Sequence, residues 1–359
     1  MIIGHDGNDQ TLAAVAKDKY VDLVFEGGGV WGVALVGALC TLEERGYIPQ
    51  NIAGTSAGAI AASLVAAGYT GKEIHAIMME QHFSAFADST WASLVPLVGM
   101  PLSILLELGL HKGDVVLQLM RKYLAAKGVH TFRDLIDPRY ADQPKYRYKL
   151  QVIASDITTQ QMLVLPQDAH VLGIAPDDLE VALAVRMSMS IPIFFEPVKF
   201  HNARTKETHL ITDGSMLSNF PIWLFDEDGT PEWPTFGLKL VASDAQAHVL
   251  SLKPIPTHGP GMVIGFLGSI VQTMMNAHDR MYLDKDTIVR TVTIPTLDIP
   301  GTNFDLTNDQ LTALYESGRT AATNFLAQWD FGRYVTEFRS VTQPSIPRVA
   351  PGVARSTSN

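Results

Sequence analysis

One serine in this chain stands in the setting that acyl-transfer chemistry requires. Gly54-Thr55-Ser56-Ala57-Gly58 lies where the β-like run Asn51-Ile52-Ala53 gives way to the alanine-rich run 59–67. A hydroxyl on such a sharp strand-to-helix turn stands clear of the sheet, because the flanking glycines put no side chain beside it. The new helix also aims unpaired N–H groups and the positive end of its dipole at that point, which favours a developing negative charge. Ser56 is therefore the candidate nucleophile. The plain alternative is a Gly-rich turn whose serine caps the helix.

A second glycine cluster, Gly27-Gly28-Gly29, follows the apolar run Val21–Phe25 and precedes a helical pattern. Gly27-x-Gly29-x-x-Gly32 fits the dinucleotide fingerprint literally, but that reading needs an acidic residue about 20 positions on to hold the ribose. The second strand ends Asn51-Ile52-Ala53-Gly54-Thr55, with no carboxylate. No Gly-x-x-x-x-Gly-Lys-Ser/Thr run exists to make a P-loop either. The remaining reading is an oxyanion hole, since consecutive glycines can turn their N–H groups into one concavity. With the first two strands adjacent, Gly27, Gly28 and Gly29 would lie beside Ser56.

A serine also needs a base. Thr212-Asp213-Gly214 closes a strand-like run on a tight turn and would present the Asp213 carboxylate at a sheet end; taken alone, Asp-Gly is an ordinary turn. Eleven histidines are available, among them His209, His248, His258 and His278, and none stands in a catalytic context. A triad in α/β-hydrolase order would need one of the late ones.

Together the blocks Glu26-Gly27-Gly28-Gly29-Val30-Trp31-Gly32, Gly54-Thr55-Ser56-Ala57-Gly58, Ser188-Met189-Ser190-Ile191-Pro192 and Asp213-Gly214 followed by Asn219-Phe220-Pro221 resemble those of the patatin-like phospholipases, over residues 20–330. The resemblance implies a three-layer α/β/α sandwich with a mostly parallel central sheet. It also implies hydrolysis of lipid acyl esters by a Ser–Asp dyad, without calcium, a metal or another cofactor. Ser56 would be the nucleophile, Asp213 its base, and Gly27–Gly29 the oxyanion loop. The family usually has Arg or Lys where Trp31 stands, so the loop either manages without that cation or takes a less charged substrate. A lipid-binding or regulatory protein that has kept the fold is the competing expectation.

Composition agrees with a large folded core: 359 residues, 47% hydrophobic and 18% charged, with a formal net charge of −10. A chain of that sign with no basic run is a poor match for nucleic acid. Cys40 is the single cysteine, which excludes disulfides and Cys-based zinc sites and reads as buried filler. The first twenty residues show no secretory signal, and the apolar stretches 94–110 and 261–275 are too short or too broken to span a bilayer. The expectation is a cytoplasmic protein that meets its lipid or fatty-acyl ester substrate at a membrane surface.

The elements that must position these residues begin β-turn-α-β-turn-α, the pattern of a parallel sheet flanked by helices. Residues 1–19 read as a loose leader and 20–335 as one elaborated α/β domain. Residues 83–112, apolar and low in charge, are expected to form a lid or interfacial segment, and 336–359 a weakly ordered tail. Strands are predicted near 146–155, 161–166, 198–200, 209–212, 236–242 and 288–294, and helices over 113–127, 179–187, 261–284 and 306–328.

Overall fold

The computed structural model describes residues 17, 19–80, 109–111, 113–241, 284–297, 299 and 306–339. In chain order the strands are β1 (Tyr20–Phe25), β2 (Ile48–Thr55), β3 (Gly109–His111), β4 (Leu150–Asp156), β5 (Gln161–Leu165), β6 (Ile193–Phe195), β7 (Val198–His201), β8 (Thr208–Asp213), β9 (Thr235–Val241) and β10 (Thr291–Pro295). The helices are α1 (Gly32–Glu44), α2 (Ala57–Ala66), α3 (Gly71–Glu80), α4 (Asp114–Ala126), α5 (Val181–Ser188), α6 (Lys285–Val289), α7 (Asn308–Leu326) and α8 (Phe331–Phe338).

The main sheet runs β10-β9-β1-β2-β4-β8-β7, with β5 also paired to β4. Strands β10, β9, β1, β2 and β4 are parallel, and β5, β8 and β7 are added antiparallel. Parallel central strands are apolar on both faces because both must be covered. Along β1, Leu23 and Phe25 enter the core beneath α1, α2 and α7, while Val24 joins Ala53 and Ile153 on the other face against Phe220, Ile222 and Phe225. The result is the expected mixed α/β fold with a layered central sheet. Helices α1 and α7 cross closely, since a Cβ on Gly37 would come within 2.0 Å of Tyr315 O and one on Gly318 within 1.9 Å of Ala34 O. Cys40 is buried, as expected for filler.

Several boundaries differ from expectation. The strand predicted over 288–294 begins only at Thr291. Ahead of it Asp284 accepts a hydrogen bond from Thr287 N–H at 3.0 Å and starts α6, so a local cap prevails over β-propensity. Helix α8 crosses the expected domain limit at 335, started by Asp330, which accepts from Arg333 N–H at 2.7 Å. The leader expected at 1–19 lies outside the described residues except for 17 and 19, as do 340–359 and the helix expected over 261–284 except for its last residue, Asp284. Of the expected lid only 109–111 is described, and it forms β3, paired in parallel with β6. Among the described residues no helix is long and apolar enough to cross a membrane.

Candidate active site

Strand β4 brings the two candidate residues together. Its residues Val152 and Ile153 pair with β2 on one edge and β5 on the other; Ala154, Ser155 and Asp156 pair with β5 and β8. Strands β2 and β8 therefore share one edge of β4 and approach each other end to end. Thr55 stands opposite Ile153 and Asp213 opposite Ala154, so Ser56 and Asp213 are delivered to one point from opposite directions.

Ser56 has φ 53° and ψ −127°, a conformation that a non-glycine residue adopts only under constraint. Its side chain makes no capping hydrogen bond, so it is not spent on the helix it precedes. Glycine is required at Gly58, where a Cβ would lie 2.4 Å from Phe25 O and 2.5 Å from Glu26 O. The turn is held from two sides: Ser56 N–H donates to Ser188 Oγ at 2.8 Å, and Thr55 Oγ1 donates to Ser218 O at 3.0 Å.

Asp213 is wholly buried. One carboxylate oxygen, Oδ1, accepts from Ser215 N–H at 2.8 Å and from Ser215 Oγ at 2.6 Å, capping the turn Gly214–Met216. The other, Oδ2, is buried without a hydrogen-bond partner among the described residues. Asp213 thus makes the ordinary Asp-Gly turn with one oxygen and keeps the second free. Burial pushes its pKa up to about 6, against the downward pull of the Ser215 hydrogen bonds and, last, of the nearby Ser56 hydroxyl. Its own N–H donates to Ser190 O at 2.9 Å.

The segment 188–190 thus holds both candidates, Ser56 through a side chain and Asp213 through a carbonyl. It is fastened in turn by the buried Arg186, which donates to Ser190 Oγ and, at 2.9 Å, to Glu196 O.

The glycine loop is corrected in one respect. Gly27 N–H donates to Asn219 O at 3.1 Å and is not free for an oxyanion. Gly28 and Gly29 have no acceptor for their N–H groups among the described residues, leaving these two as the available donors. Gly27 has a packing role: a Cβ there would lie 2.2 Å from Asn219 Oδ1 and 3.1 Å from Ser56 Cβ. Asn219 Nδ2 also donates to Gly27 O at 3.1 Å, so the Asn219-Phe220-Pro221 block clasps the loop by both backbone groups of Gly27. Beside it the buried Glu26 carboxylate accepts from Lys239 Nζ at 2.6 Å.

Trp31 is half-buried. Its ring packs on the core and its Nε1–H donates to Ile299 O at 2.7 Å. His209 is buried too, yet it pairs with Asp156, Nδ1 to Oδ2 at 2.7 Å, and not with Asp213. His5, His82, His248, His258 and His278 lie outside the described residues. No cluster that could hold a metal ion occurs among the described residues.

A patatin-like phospholipase family model matches residues 23–226, and the chain belongs to that family. Among its relatives, YqhO of Bacillus subtilis is 38% identical over 87% of this chain and 100% of that protein. A probable lipid hydrolase, 463L of invertebrate iridescent virus 6, is 26% identical over 60% of this chain and 66% of its own length. VipD of Legionella pneumophila shares the fold at a TM-score of 0.50 and 18% identity, over 86% of this chain and 67% of that one.

Proposed function

We propose that this protein hydrolyses carboxylic esters of lipids, with Ser56 and Asp213 acting as a dyad through an acyl-enzyme. The observation that carries the reading is the free, buried Oδ2 of Asp213 beside a strained, uncommitted Ser56. Ser56 Oγ attacks the ester carbonyl carbon while its proton passes to Asp213 Oδ2. Gly28 and Gly29 N–H groups stabilise the negative charge that develops on the carbonyl oxygen. Collapse of the tetrahedral species expels the alcohol, which takes the proton from Asp213 and leaves the acyl group on Ser56. Water then attacks the acyl-enzyme, giving its proton to Asp213, and the second collapse returns that proton to Ser56 Oγ and releases the fatty acid.

A carboxylate near ~3.9 is a weak base for an alcohol in water. Burial that lifts Asp213 to about 6 brings it closer to the range of imidazole, which supports its use without a histidine. Membership of the patatin-like family and likeness to a probable viral lipid hydrolase support a lipid ester as substrate. Contact with a membrane surface is part of the proposal, because such substrates are aggregated. The competing lipid-binding reading rested on Trp31, and an indole committed to Ile299 O and the core lends it no support.

The test is release of p-nitrophenol from its butyrate and of fatty acid from phospholipid vesicles, with Ser56→Ala as the reference. Capture of Ser56 by an alkyl fluorophosphonate, located by peptide mass spectrometry, gives a second readout. Release no faster than that of Ser56→Ala, with no adduct on Ser56, would sink the proposal.

A further inference from the structure

A cavity of about 40 Å³ opens between Gly29 of the glycine loop and Ala57, the residue after the candidate nucleophile. Three observations give it direction. On α2, Ala57, Ile60 and Leu64 fall on one helical face and line the cavity away from Ser56, over roughly 10 Å of helix axis. Met78 of α3 and Tyr123 of α4 close the other sides, and no charged side chain of the described residues lines it. Gly32 also lines it, and a Cβ there would stand in ordinary contact at 3.8 Å from Ala57 Cβ and 3.8 Å from Met78 Cε, taking up part of the cavity.

We infer that this cavity receives the fatty acyl chain of the ester whose carbonyl is seated between Ser56 and the Gly28–Gly29 amides. The inference rests on the acyl-hydrolase reading. The occupant follows from continuity, because the cavity begins at an oxyanion donor and at the nucleophile's neighbour, where the acyl substituent of a bound carbonyl must leave. An apolar lining stabilises methylenes and penalises a charged headgroup, which must therefore lie toward the opposite side. At about 40 Å³ the resting cavity is narrow, so long chains enter by displacing Met78, whose unbranched thioether adapts at low cost. Chain-length preference is thus written in Ile60 and Met78, and not in the glycine loop.

The experiment has two arms. In the first, kcat/KM is measured for p-nitrophenyl acetate, butyrate, octanoate and laurate. Ile60→Trp should lower the octanoate-to-acetate ratio by about tenfold or more, and Met78→Ala should raise it by a similar factor. Gly32→Ala, whose added methyl meets only ordinary contacts, should lower the ratio in a chain that folds even if Ile60→Trp does not. Unchanged ratios in folded variants overturn the inference while leaving the hydrolase reading intact.

In the second arm Ser56→Ala binds cis-parinaric acid, followed by its fluorescence, with and without Ile60→Trp or Gly32→Ala. Loss of at least tenfold in affinity supports the cavity as the acyl site, even if no ester is hydrolysed. Equal affinity in folded variants overturns it.

Discussion

Ser188 Oγ accepts the backbone N–H of Ser56 at 2.8 Å, and the backbone of the candidate nucleophile is thereby held by a side chain 132 positions away. Removing that acceptor leaves a buried N–H unpaired beside a strained φ, at a cost of about 1–3 kcal/mol. Ser188→Ala should lower kcat by about 10–100-fold with little change in KM, because the loss falls on the alignment of the attacking oxygen. Steady-state kinetics on a short ester check this. A variant with unchanged kcat would show that the elbow keeps its geometry without Ser188.

The pH behaviour of Asp213 has two signs that can be measured separately. As a base it must be ionised, so kcat/KM should fall as pH drops through about 6. As a buried acid its folded pKa lies above the ordinary 3.8, so folding favours the protonated form, and stability is lost as pH rises from about 4 through about 6. That shift amounts to about 3 kcal/mol against the charged form. Asp213→Asn should be as inactive as Ser56→Ala and yet melt higher than wild type at pH 8. Burial likewise lifts the buried Asp22 to about 7, so the comparison must be between wild type and variant at each pH. A variant that melts lower at pH 8 and not at pH 4 contradicts the assignment.

His209 provides the contrast. It shares β8 with Asp213 but gives its Nδ1 to Asp156, whose other oxygen accepts from Thr158 N–H at 2.9 Å. The pair anchors the turn between β4 and β5. His209→Gln should reduce the melting temperature and leave kcat within a fewfold of wild type. If a folded His209→Gln were as dead as Ser56→Ala, the dyad would give way to a triad.

Trp31 occupies the position where a cation was expected, and its indole bonds to Ile299 O instead. Trp31→Arg removes that bond and forces a guanidinium into a half-buried site, so a loss of several kcal/mol is expected. Thermal melts should show the drop. The rate ratio between anionic and neutral phospholipid vesicles should stay the same, and a clear rise for the anionic vesicles would instead place Trp31 at the headgroup.

Ser56 was legible because its signal is local: two glycines and a change from strand to helix within a few residues. Asp213 was legible only through its block, since Asp-Gly alone is a turn and in fact makes one. The parallel start of the sheet followed from the alternation of elements. What could not be read was pairing across long separations. Nothing near Ser188 or Ser190 says that one holds Ser56 and the other Asp213, although their block was noted. The engagement of Gly27 with Asn219 was hidden in the same way, because three adjacent glycines look equivalent until one has spent its N–H. Helix α6 differs from expectation because a single cap at Asp284 outweighs the β-prone Thr287, Ile288 and Val289 that follow.

The shared edge of β4 makes that strand a ruler. Ser56 and Asp213 are spaced by the hydrogen-bond register of a third segment, which contributes neither of the two side chains. One residue inserted within β8 would slide Asp213 by about 3.4 Å and turn its side chain to the opposite face. The same insertion in the 202–207 turn would be absorbed before the ladder begins. Length variation in this hairpin is therefore tolerated up to the foot of β8 and forbidden along it, and the spacing of the two candidate residues is inherited from a strand that carries neither of them.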